Sequence, residues 1–416
     1  MNCLKFTFVL QILAAVHSFT HNHNSPHHIW SPVAYQQRSS LHQICAEPSG
    51  GKGRNEKRSV EEDEITATLM QQLEQMKHRD YIVENNWRTG QFQQHILIGA
   101  DQRISAMKLS NSMLAVASEL GDVHVMNLAT GQIQSEIFPH RGAVSAMHWD
   151  GNVLITAGAD NYIRVLPSPM TKAGSSGRTS LVFKGHLHHH IMGLVRLGPN
   201  RFASAGTDGK ILIWDHKKSP TSPVMEIQAP DAILCLDAAG DYITAGLADG
   251  RVVAYSSISG HDLVDGYSKA LLEIQAHNGP VTSLHFNEQN FLATGGKDGV
   301  VRLWNILGGG DHGGQHLVLD LPGEPTKKLN RVYKGHPGSS VTAVQADNKK
   351  IISTSLDGHI KAWCIETGEE FFSLRVENNE KVLNMQFDST FLITDGHGKH
   401  LILKDFSPSG PSAPIC

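Results

Sequence analysis

Three times along this chain the same four residue types return at the same spacing: His186, Ser204, Asp208 and Trp214; His277, Thr294, Asp298 and Trp304; His336, Ser353, Asp357 and Trp363. In each set Trp lies six residues after Asp, and His lies 21 or 22 residues before it. Short β-type runs separate these residues, such as Ile191 to Arg196 and Ile211 to Trp214, with a turn at Asp208-Gly209. A unit of this size cannot bury its own apolar face, so a fixed period demands that copies pack against one another. A His, Ser and Asp set could suggest a hydrolase triad. Repetition at fixed spacing, without a Gly-x-Ser-x-Gly elbow, points instead to scaffold, and no catalytic residue is expected.

The unit resembles the WD-repeat family. Gly185-His186 opens one copy, and Trp214-Asp215 is its WD dipeptide. In that family, copies of about 40 to 45 residues each build a four-stranded propeller blade. The resemblance implies a buried network in which the turn Asp accepts a hydrogen bond from His, while Ser or Thr links His towards the Trp indole. Weaker copies fill the gaps. His140, Thr156 and Asp160 keep the pattern with Leu166 in the Trp place; Asp249 and Gly250 lead to Tyr255, with Pro230 and Ala245 at the His and Ser positions. Leu120 in the first copy and Gly398 in the last stand where Asp would be.

Inner strands starting at Ile104, Val144, Ile191, Ile233, Val281, Val341 and Val382 count to seven blades. The expected fold is therefore all-β: a seven-bladed WD-repeat β-propeller over residues 91–406, with one short amino-terminal helix. Ring closure needs an outer strand from the other end of the chain, and Gln93 to Ile98 is assigned to the seventh blade. Ile65, Leu69, Leu73 and Met76 predict a helix from about Glu61 to Arg79 within a helix-and-connector segment, residues 60–90. Asn86, Trp87 and Gly90 resemble the Asn-Trp-x-x-Gly lead into the propeller of F-box proteins with WD repeats, although no F-box precedes them. That likeness implies an alternative role as the substrate-recognition subunit of a ubiquitin-ligase complex. The simpler role of Trp87 is to pack under the closing blade.

Lys5 followed by the apolar run Phe6 to Val16, then Ser18, reads as a signal peptide over residues 1–18. The run is too short for a membrane span. Residues 19–59 carry five basic side chains against Glu47 and Glu56, with no apolar period, and are expected to be unstructured. Phe19 and this composition resemble the bipartite presequences of algae with secondary plastids, which implies a plastid destination; the secretory pathway or the cytoplasm is the alternative. The Pro-containing tail, residues 407–416, is expected to be mobile.

Thirty-six Lys and Arg against 40 Asp and Glu give a net charge of -4, which leaves no basic excess for nucleic acid as the main partner. Five cysteines without a CxxC pair supply neither a metal site nor a disulfide framework, and Cys235 and Cys364 read as small buried apolar residues. The glycines of the long connection Gly308 to Asn330 lack a following Gly-Lys-Ser or Gly-Lys-Thr, so no phosphate loop and no cofactor are expected; a flexible excursion fits better. A non-catalytic protein-protein interaction scaffold, binding a protein or peptide on a propeller face, is the function expected. Candidate face residues are Arg141, His188, His190, Asn278, Lys297, Ser339, Leu356 and Lys381. His188, His189 and His190 point apart in an extended loop and do not form a metal site.

Overall fold

The computed structural model describes residues 52–99, 103–167, 180–217, 222–257, 263–264, 267–268, 270–287, 291–308, 317–319, 331–333, 335–376, 381–396 and 400–408. The expected signal peptide, nearly all of the presequence-like segment, Gly398 and residues 409–416 of the tail lie outside them. Two compact units are present, Met1–Glu84 and Asn85–Cys416.

A helix runs Lys52–Thr89, 38 residues. It contains the expected stretch Glu61 to Arg79 and runs on past it at both ends, beginning inside the segment expected to lack structure. The turns beyond Glu61 to Arg79 carry no apolar period, yet Glu, Lys, Arg and Gln favour helix on their own account without marking a buried face. It ends where Gly90 takes a φ of 65° and the Gln91 amide bonds Asn86 O at 2.9 Å, the closure of a Schellman turn.

The second unit carries seven antiparallel blade sheets and, between two strands of the fourth blade, a small antiparallel ladder of Leu263–Val264 with Tyr267–Ser268. Their inner strands are Ile104–Ser110, Val144–Trp149, Ile191–Arg196, Ile233–Ala239, Val281–Phe286, Val341–Ala346 and Met385–Phe387. Six sheets are consecutive meanders from inner to outer strand. Second strands such as Met113–Ser118 and Lys350–Ser355 are buried along their whole length, because both faces of a blade pack on neighbours. Alternating Ala, Ile, Leu and Val therefore fill the seams between blades.

The seventh blade closes the ring. Gln93–Gly99 pairs antiparallel with His400–Asp405, Gln93 opposite Asp405 and Ile96 opposite Ile402. Its inner strand starts at Met385, not at Val382 as the sequence suggested, because Asp395 Oδ1 accepts both the Leu383 and Asn384 amides at 2.9 Å. A side chain has replaced the ladder there. Beneath this blade, Trp87 stacks on Phe406 at 3.7 Å and donates from Nε1 to Ser389 O at 2.8 Å, while Asn86 Nδ2 donates to Phe406 O at 3.0 Å.

The long connection after the fifth blade is more than a flexible excursion. Val301–Gly308 runs on past the blade and pairs Leu317–Leu319 as well as the outer strand Arg331–Tyr333. Cys364 is buried and Cys235 half-buried, and burial pushes the Cys235 thiol well above its ordinary value, so it is no nucleophile. No described helix is long and apolar enough to cross a membrane.

Candidate functional face

Four blades carry the polar network on their turn between second and third strands. In the third blade His186 Nδ1 lies 2.9 Å from Asp208 Oδ1, its Nε2 lies 2.9 Å from Ser204 Oγ, and Trp214 Nε1 donates to that same oxygen at 2.9 Å. The fifth blade repeats it through His277, Asp298, Thr294 and Trp304, with the indole bond at 3.1 Å. In the sixth, His336 reaches Asp357 at 3.2 Å and Ser353 at 2.8 Å, while Trp363 packs its ring on Tyr333 at 5.3 Å. In the second, His140 joins Asp160 at 2.8 Å and Thr156 at 2.9 Å.

Sequence reading missed two members of these networks. Arg164 Nη1 donates to Asp160 Oδ2 at 2.9 Å, and Arg302 Nη1 to Asp298 Oδ2 at 3.1 Å. The signal was present, since Arg follows Asp by four in both copies. Burial holds the His140, His277 and His336 imidazoles below their ordinary value despite the adjoining carboxylates. Burial alone would raise Asp160, Asp208, Asp298 and Asp357, but imidazole and backbone N–H partners outweigh it and hold each below the usual carboxylate range. These groups are spent on one another, so the arrangement is structural rather than a nucleophile and base open to substrate.

The networks tie two kinds of loop to one end of the ring. In six blades the residue before the turn Asp position donates its amide to the carbonyl just before the inner strand: Glu119 to Arg103, Ala159 to Ala143, Thr207 to His190, Ala248 to Ala232, Lys297 to Pro280 and Leu356 to Ser340. Arg141, His188, His190, Asn278, Lys297, Leu356 and Lys381 are exposed. Ser339 is half-buried, bonded to Ser355 Oγ at 3.0 Å. Seven of the eight lie on these tied loops, in the second, third, fifth and sixth blades; Lys381 sits in the loop leading to the seventh inner strand.

Aliphatic side chains, which the sequence analysis passed over, accompany them. Leu120, Leu187, Met192, Leu356 and Leu383 are all exposed on these turns, loops and strand starts. Met192 is turned out of the ladder by a bulge between Ile191 and Gly193, a defect repeated at the same place in the first six inner strands. Below this rim, side chains from one inner strand bond the backbone of the next: Asp237 Oδ2 accepts Phe286 N at 2.9 Å and Gln345 Oε1 accepts Phe387 N at 3.0 Å. His148 occupies the matching register, where burial, with Lys108 and Arg196 nearby, pulls it down to about 3 and keeps it neutral. No cluster of His, Cys, Asp and Glu among the described residues could hold a metal ion.

Residues 131–165, 268–305 and 327–364 match the family described as WD domain, G-beta repeat. The chain is similar to Ribosome biogenesis protein YTM1 of Meyerozyma guilliermondii, 20% identical over 71% of this chain and 69% of that protein. It is similar to the Ribosome biogenesis protein WDR12 homolog of Chlamydomonas reinhardtii, 26% identical over 58% of this chain and 59% of that one. Against Apoptotic protease-activating factor 1 of Homo sapiens, 24% identity extends over 77% of this chain but 24% of the longer protein. Among solved structures, the computationally designed Ika8 protein superposes with a TM-score of 0.54 at 20% identity, over 73% of this chain and 83% of that one, a likeness of fold.

Proposed function

We propose that this chain, which belongs to the WD-repeat β-propeller proteins, is a non-catalytic scaffold that holds a protein or peptide on the loop end of its ring. The observation that carries this reading is the exposed aliphatic set Leu120, Leu187, Met192, Leu356 and Leu383, on the turns, loops and strand starts of the end that the amide-to-carbonyl bonds tie together. Apolar side chains gathered on one rim mark an interaction surface. Exposed Arg103, Arg141, Lys297 and Lys381 outnumber Glu119 there, which favours a partner with acidic residues beside its apolar ones. The two ribosome biogenesis relatives favour a place in a multi-protein assembly.

The ubiquitin-ligase reading gains no support, because Asn86 and Trp87, on which it rested, are consumed in bracing the seventh blade. Affinity capture with wild type and with the double variant Met192→Asp, Leu383→Asp tests the proposal. Partners bound by wild type should be lost from the variant at an unchanged melting temperature. Retention of every partner by the folded variant would refute it.

A further inference from the structure

Two residues past the network His, the loops of four blades turn through the left-handed region of backbone space: φ is 106° at Gly142, 64° at His188, 120° at Gly279 and 78° at Gly338. A side chain is strained in that region, so glycine fills three of the four places. In the fifth blade the residue before this glycine is Asn278, where the second and sixth blades have Arg141 and Pro337. Gly279 is thereby the one glycine among 39 that follows an asparagine. The Asn278 side chain is exposed, and a Cβ added at Gly279 would meet nothing within 4 Å. Solvent reaches the amide, and space is open beside the peptide that follows it.

A peptide in that setting can close on its own side chain. The Gly279 amide nitrogen loses its proton to water and bonds the side-chain carbonyl carbon of Asn278, which sheds its amino group as ammonia and leaves a five-membered succinimide. Water then opens the ring. Breaking the new bond gives aspartate; breaking the original main-chain bond gives isoaspartate, with the chain running through the side-chain carbon. No oxidation or reduction is involved. A side chain on the following residue hinders the attack, as Ser112 does after Asn111 and Val153 after Asn152, although both asparagines are exposed. The products would change the loop that carries them. Asn278 N donates to Asp298 Oδ2 at 3.1 Å, and Lys297 N to Pro280 O at 2.9 Å. Aspartate sets a second carboxylate beside that of Asp298, and isoaspartate inserts a methylene into the main chain between the His277 network and the Pro280 tie.

We infer that Asn278 is a modification site, deamidated spontaneously through a succinimide with Gly279, so that a neutral residue of the loop end turns acidic as the protein ages. Any bearing on partner binding rests on the loop-end scaffold reading; the chemistry does not, and mass alone reads it. The full chain is held near neutral pH and body temperature for several weeks, folded and in urea, and its peptides are mapped. In the folded chain the peptide bearing Asn278 should gain about one dalton and resolve into two products, one of them accepting methyl groups from a protein-isoaspartate methyltransferase. Hydroxylamine should cleave the aged chain between Asn278 and Gly279. Conversion at Asn278 should be at least tenfold faster than at Asn111 or Asn152. Asn278→Gln, which would have to close a six-membered ring, should lose all of these signals. An Asn278 that keeps its amide in the folded chain while converting in urea would show that the loop holds the peptide away from attack, and would overturn the site. Conversion no faster than that of Asn111 or Asn152 would do the same.

Discussion

The same turn residue should matter very differently in two blades. Asp298 takes four contacts: His277 Nδ1 at 2.9 Å, and Asn278 N, Val300 N and Arg302 Nη1 each at 3.1 Å. The His277 side chain is 0% exposed, so in Asp298→Ala its ring N–H has no water to turn to, a cost of about 1–3 kcal/mol. The two amides and the guanidinium lie nearer solvent and rehydrate, adding about 1 kcal/mol more. Asp249 in the fourth blade has no His partner; it accepts Arg251 N at 3.0 Å and pairs with the Arg251 guanidinium, both side chains being 29% exposed. Its removal should cost about 0.5–1 kcal/mol. Thermal melts of both variants should show a fall of about 5 °C or more for Asp298→Ala against roughly 2 °C for Asp249→Ala. Equal shifts would show that the imidazole network adds nothing to the turn, and the structural assignment of the His sets would fail.

Urea midpoints should fall on acidification. His140, His277 and His336 stay neutral in the folded chain, chiefly through burial, so the stability they hold is whole above about pH 6.5 and drains as pH falls towards their lowered folded values. Asp395, raised by burial to about 6, opposes this between about pH 6 and 4, so Asp395→Asn should steepen the fall; a midpoint that climbs from pH 6.5 to 5 in that variant would contradict the argument. Trp87→Ala removes the ring stacked on Phe406 and should cost about 3–5 kcal/mol by denaturant melts, a loss that a merely exposed Trp would not show. Deleting residues 1–99 should expose the sheet edge at His400–Asp405 and lower soluble yield, whereas a stable monomer from that deletion would disprove the closure. Residues 1–59 fused to a fluorescent protein in a diatom-like host should reach the plastid and lose that destination on Phe19→Ala; diffuse cytosolic fluorescence from the intact fusion would defeat the presequence reading.

Repeat number, inner-strand starts in six blades and the His, Ser or Thr, and Asp positions of the networks were legible from sequence, because each depends on spacing within one stretch of about 40 residues. The closing strand Gln93–Gly99 was legible too, since seven meanders leave one strand wanting and the chain supplies one candidate. The polar helix Lys52–Thr89 was only partly visible, since apolar periodicity reports a buried face and not helix propensity. What the tertiary structure alone decided lies in contacts between strands and between blades. Asp395 displaces a ladder, five aliphatic residues share an exposed rim, and Lys404 stands where three other blades seat an indole. Each of these depends on which neighbour a side chain meets across a seam or a strand pair. A period-two pattern says that a residue faces a neighbouring blade; only packing says whether that neighbour fills the space or leaves it open.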